Sequence, residues 1–157
     1  MTHLYLTLKL VHILGGAVLF GTGLGIAFFM FMAHRTGDPA AIAHTARTVV
    51  IADAVFTATA VVLQPLTGWA LAVMSGVSTF HWWIKATLVL YVFVGLCWLP
   101  VVWIQLRMRD LAEAAARDRT ILPARYHRYF RIWFWLGWPA FTGVIAIFAL
   151  MLWKPQW

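Results

Sequence analysis

Lys9 and His12 stand one helical turn apart inside a long apolar run, Tyr5 to Gly25, YLTLKLVHILGGAVLFGTGLG. Wound as a helix, Tyr5, Lys9, His12, Gly16 and Gly23 fall near one stripe. Ionisable groups on a membrane-length helix are costly unless they meet a partner. A neutral imidazole offers one ring nitrogen with a free lone pair, the usual ligand for a transition metal. Glycines beside it leave a shallow recess where a planar ligand can approach the backbone.

Two further groups belong to the same chemistry. Lys85 is preceded four residues earlier by His81, on the same helical face. Gln64, Thr67 and Gly68 lie at a comparable depth on the second helix, where Asp53, Thr57, Ala60, Gln64 and Gly68 form a polar and small stripe that should face a bundle interior. If their helices pack together, Lys9, His12, Gln64, His81 and Lys85 surround one pocket. Such a pocket suits haem b. His12 would be an axial ligand to iron. Lys85 would be the second ligand if held neutral, or would pair with a porphyrin propionate if charged. Gln64 and Gly16 would line the pocket. Ligation by His12 and His81 together is an alternative and would point to plain electron transfer. The paired Cys/His spacing of structural zinc is missing, and so are a Ser/His/Asp arrangement and a phosphate loop.

Each of these residues also has a simpler reading. Lys9 and Lys85 can snorkel to headgroups. His12 can bond across helices, and His81 can sit at the interface. Asp53 is expected to pair with Arg47 or to cap the end of its helix. His3, His34, His44 and His127 read as solvated or lipid-facing.

The elements that must position these groups are apolar helices. The 157 residues are 63% hydrophobic and 11% charged, which a soluble domain of this size could not bury. The ten tryptophans suit a membrane–water interface. Cys97 stands alone, so no internal disulfide forms. The net charge of +7 lies in segments between apolar runs, where lipid and topology explain it, and nucleic acid is not an expected partner. The first apolar run exceeds a signal-peptide core and lacks a basic cluster before it, so it is expected to be retained.

Four runs reach the roughly 20 residues needed to span. They are Leu4–Met32, Val49–Met74, Trp82–Gln105 with an extension to about Ala116, and Ile132–Trp153. The expected fold is one all-α domain over residues 1–157, an integral membrane four-helix bundle. A short separate helix is expected after Pro39, and an amphipathic RYHRYFR segment before the last span. All nine arginines fall on one side of this layout, and the three lysines toward the other. The positive-inside rule then places both termini on the periplasmic side of a bacterial inner membrane. Trp69, Trp82, Trp83, Trp153 and Trp157 would form the outer aromatic belt. Pro65, Pro100 and Pro139 each release a backbone carbonyl one turn earlier. Gly21 and Gly25 form a GxxxG pattern that favours close helix contact, including a homodimer.

The segments KLVHILGGAVLFGTGLGIAFFMFMAHR, HWWIKATLVLY and RIWFWLGWPAFTGVIAIFALMLWKP resemble a bacterial family of uncharacterised integral membrane proteins, a domain of unknown function. More distantly, the layout is similar to the HemJ-type protoporphyrinogen oxidase, a four-helix, haem-b family. That family depends on a histidine in helix one and a lysine opening helix three, matched here by His12 and Lys85. The resemblance implies six-electron oxidation of protoporphyrinogen IX to protoporphyrin IX, with electrons passed to a membrane acceptor. Departures are clear: AFFMFMAH keeps the terminal His34 but lacks the HemJ-type proline–arginine pair, and the arginine-rich third loop differs.

Three functions follow as candidates. The first is a haem-b membrane oxidoreductase acting on a porphyrinogen. The second is a haem-binding electron-transfer or anchor subunit without its own substrate. The third is a cofactor-free membrane binding or transport module. A haem spectrum separates the third from the others, and porphyrinogen turnover separates the first from the second.

Overall fold

The computed structural model describes residues 2–78 and 81–155. Trp157 of the expected aromatic belt lies outside the described residues. Four helices are long and apolar enough to cross a membrane. They are α1 (Thr2–Thr36), α2 (Pro39–Met74), α3 (Trp82–Asp118) and α4 (Ala124–Trp153). The protein is thus an all-α membrane four-helix bundle.

The first expected loop is mostly helix. Asp38 caps α2, its carboxylate accepting from the backbone N–H groups of Ala40 (3.0 Å) and Ala41 (3.3 Å), and Pro39 fills the first turn. No break follows, so the short helix after Pro39 and the second span are one element. Hydropathy sees only the apolar run, whereas the polar HTART residues continue the helix beyond it. The fourth span likewise begins at Ala124. RYHRYFR forms its first turns, with Tyr126 and Phe130 buried rather than lying on an interface.

Within α2 the backbone changes pitch. Residues Asp53–Thr57 form a single π-helical turn, in which the Ala58 N–H returns to the Asp53 carbonyl. The helix ends are closed by left-handed residues. Gly76, at φ +64, ends α2, with Val77 N–H returning to Ala72 O and Gly76 N–H to Val73 O. Arg119, at φ 51, ends α3 in the same pattern through Ala115 O and Ala116 O.

The core is concentrated at the arginine-rich end. Ile26, Met30 and Ala33 of α1 meet Ile42, Ala46 and Val49 of α2. Ile104, Met108 and Ala112 of α3 and Tyr126, Phe130 and Trp133 of α4 complete it. Each set repeats at three- and four-residue steps, so one face of each helix turns inward. In lipid this packing stabilises by van der Waals contact and small-residue fit rather than by removal from water. The Arg47–Glu113 pair, 2.8 Å, ties α2 to α3 at this end. Both side chains are substantially exposed, so it adds little stability.

Toward the termini the bundle loosens. There α1 runs against α2, and α3 against α4, with fewer contacts between the two hairpins. Phe20 stacks on Phe141 at 4.6 Å across the seam. A second bridge uses the proline in α2. Pro65 has no N–H, so Val61 O loses its helical donor, and the Tyr91 hydroxyl of α3 donates to that carbonyl instead. Trp69, Trp82 and Trp153 are exposed as expected, but Trp83 is buried. Gly21 and Gly25 face open space, so the GxxxG pattern makes no close helix contact among the described residues.

Candidate functional site

His12, Gln64 and Gly16 come together at the loose end. Thr67 hydroxyl donates to Leu63 O at 2.7 Å, the back-bond of a helical threonine. Its proton is thereby committed. The 2.8 Å contact between Thr67 Oγ1 and His12 Nδ1 is then read with the imidazole as donor. That assignment places the ring proton on Nδ1 and leaves the lone pair on Nε2, the tautomer that metal-ligating histidines adopt when a neighbour fixes the other nitrogen. Gln64 Nε2 donates to His12 O at 2.9 Å, so two residues of α2 grip one residue of α1.

The glycines serve this grip. A Cβ on Gly15 would stand 2.4 Å from Gln64 Nε2, and one on Gly68 would stand 3.2 Å from His12 Cε1. One on Gly16 would meet Phe148 of α4 at 3.3 Å. The recess expected for a planar ligand is therefore partly filled by protein: Gln64 lies over Gly15, Phe148 over Gly16, and the imidazole over Gly68.

His81 and Lys85 sit at the start of α3, His81 in the N-cap position, and both are exposed. Lys9 is exposed on α1. Two residues beyond Lys85, Thr87 turns inward, and its buried hydroxyl has no hydrogen-bond partner among the described residues. Among the described residues no three His, Cys, Asp or Glu side chains converge on one point. A haem needs only one or two axial ligands, and a single histidine with a basic Nε2 meets that requirement.

A second polar centre surrounds Asp53, and its surroundings were not legible in sequence. Asp53 does not pair with Arg47, which is held by Glu113. It lies buried in the π-helical turn and accepts from Trp98 Nε1 at 3.3 Å. Gln105, with its amide oriented so that both ends are satisfied, donates to Asp53 Oδ2 at 3.2 Å and accepts from Trp133 Nε1 at 3.2 Å. The Thr57 hydroxyl is beside the carboxyl, buried and without hydrogen-bond geometry to it. The partners come from α3, with Trp133 of α4 behind Gln105, so spacing within α2 gave no signal for them.

His34 also differs from expectation. Rather than solvated, it is half-buried, 3.3 Å from the Tyr126 hydroxyl and stacked on Phe130 at 3.6 Å.

A family model for predicted integral membrane proteins, DUF2269, matches residues 6–155. The chain belongs to this family. The match covers nearly its whole length, including His12, Asp53, Gln64 and Lys85. No curated protein and no solved structure matches this DUF2269 chain significantly. Membership therefore carries the membrane assignment, and the chemistry of the sites has to be argued from their residues.

Proposed function

We propose that this DUF2269 protein is a haem-b-binding membrane oxidoreductase, HemJ-like, in which His12 is the axial ligand. The observation that carries the reading is the chain Leu63 O, Thr67 Oγ1, His12 Nδ1, which leaves Nε2 basic. Haem would supply a one-electron iron couple. The protein's part is to fix the imidazole through Thr67 and Gly68, to hold α1 on α2 through Gln64, and to exclude water with the apolar seam. Lys85 is the second ligand or the propionate anchor, and its exposure at the mouth of α3 suits the anchor better. His81 remains the alternative second ligand.

Protoporphyrinogen IX is the proposed substrate, by the likeness to HemJ-type enzymes. Its oxidation releases six electrons and six protons, with electrons leaving to an acceptor in the membrane. The arginine asymmetry supports an inner-membrane protein with both termini periplasmic.

The test is an absorption spectrum of the purified protein, oxidised and dithionite-reduced, with the pigment extracted. A Soret band with sharp reduced bands is expected. His12→Ala is expected to lose most of the haem without unfolding the bundle. Lys85→Met keeps the side-chain length but removes donor and charge, and should lower haem retention. A wild-type protein that stays colourless after haem addition would sink the reading. Haem without porphyrinogen turnover would favour an electron-transfer or anchor subunit. The Asp53 centre favours a cofactor-free binding module if no haem is found.

A further inference from the structure

The Asp53 centre adjoins a cleft of about 260 Å³ between α2 and α3. Val50, Ala54, Ala58, Val102 and Leu106 line its walls, and Asp53, Trp98 and Gln105 supply its polar end. The walls are aliphatic and the cleft opens outward, so an occupant would enter from the lipid. Asp53 lies one turn, about 6 Å, inside the apolar run that begins at Val49.

The polar end restricts the chemistry. No ion pair involves Asp53 among the described residues. Its bonds to Trp98 and Gln105 use one side of each oxygen, and a carboxylate can accept further donors. As a carboxylate it would take a hydroxyl of an occupant. As a carboxylic acid it would donate to a carbonyl. The Trp98 ring lies beside it and favours an aromatic ring. An anionic headgroup would be repelled by the carboxylate. The π-helical turn that presents Asp53 is a local departure of the kind found at functional sites.

We propose that this cleft binds the headgroup of a lipid-soluble quinone or its quinol, with Asp53 hydrogen-bonded to one ring oxygen in either form. The couple is apolar enough to arrive through the bilayer and presents a hydroxyl in one state and a carbonyl in the other, the two groups that one carboxyl can serve. As the site of the membrane electron acceptor, this assignment rests on the oxidoreductase reading. As a binding site it stands apart, because Asp53 lies about 16 Å along α2 from Gln64 and the haem-site residues.

The test is titration of the purified protein by calorimetry with decylubiquinone and, under anaerobic conditions, with decylubiquinol, after removal of endogenous quinone and with haem content measured on the same sample. Saturable binding is expected with or without haem. Asp53→Asn should weaken decylubiquinol binding about tenfold, from loss of a charge-assisted acceptor for the quinol hydroxyl. Ala54→Phe fills the cleft, leaves every Asp53 bond in place, and should abolish binding. It also keeps the test decisive if Asp53→Asn fails to fold. No saturable binding by the wild type would overturn the proposal. So would binding unchanged in Ala54→Phe, or a site lost in Ala54→Phe yet indifferent to Asp53→Asn, which would mark a groove for an apolar tail alone. Displacement of the quinone by phosphatidylglycerol at equal concentration would overturn it as well. A colourless protein that still binds decylubiquinone would remove the haem reading and leave this one standing.

Discussion

Pro65 shows how a single residue sets a demand that another helix must meet. The missing N–H strands Val61 O in a lipid environment, and Tyr91 supplies the donor. Tyr91→Phe should therefore destabilise the bundle by about 1 kcal/mol, the typical worth of such a bond in a membrane. Pro65→Ala restores the backbone donor, so Tyr91→Phe in that background should be close to neutral. A double-mutant cycle read by denaturant unfolding in detergent checks this. Equal costs in both backgrounds would show that Tyr91 acts by packing alone. At this scale the sequence was informative where a residue's chemistry is local. His12, Gln64 and the released carbonyl were all legible in spacing. The partners of Asp53 were not, because Trp98 and Gln105 reach it from another helix, while Arg47, nearer in sequence, is held by Glu113.

Helix ends and helix pitch carry the second set of consequences. Apolar length located every span, but hydropathy stopped at the bilayer edge while α2 ran back to Pro39 and α4 to Ala124. The π-helical turn adds a change of pitch that no periodicity count in a short segment reveals. The caps themselves are local: Asp38 with Pro39 starts α2, and Gly76 ends it. Arg119, like Lys154 at the end of α4, is a side-chain residue in the left-handed region, held at φ 51 where glycine is usual. Arg119→Gly relieves the left-handed strain and gives back part of the gain through a freer unfolded chain. The expected net effect is a stabilisation of about 0.5–1 kcal/mol, read as a raised midpoint of thermal unfolding. A lowered midpoint would mean that the arginine side chain contributes more than its backbone costs.

At the scale of the whole molecule, packing is uneven from end to end. The residues that bury most, from Met30 and Ile42 to Met108 and Tyr126, gather where the arginines are. The end that carries His12 has fewer buried side chains and a seam between the hairpins. Binding sites are drawn from the less stable parts of a fold, and this distribution follows that rule. Amide hydrogen exchange should accordingly be slowest over residues 26–33, 42–49, 104–112 and 126–133. It should be faster over residues 5–16 and 64–74. Uniform protection along each helix would contradict the reading.

The seam has a consequence for how the polypeptide can be divided. His12, Thr67 and Gln64 all belong to the first hairpin, while the core at the arginine-rich end draws on both. A nick between Gly76 and His81 would cut a short connection and leave that shared core intact. Two fragments, made as separate polypeptides in one cell, should find each other through Ile42, Met108 and Tyr126, and a tag on either should retrieve both. In that sense the molecule is a pair of complementing halves joined by a tether.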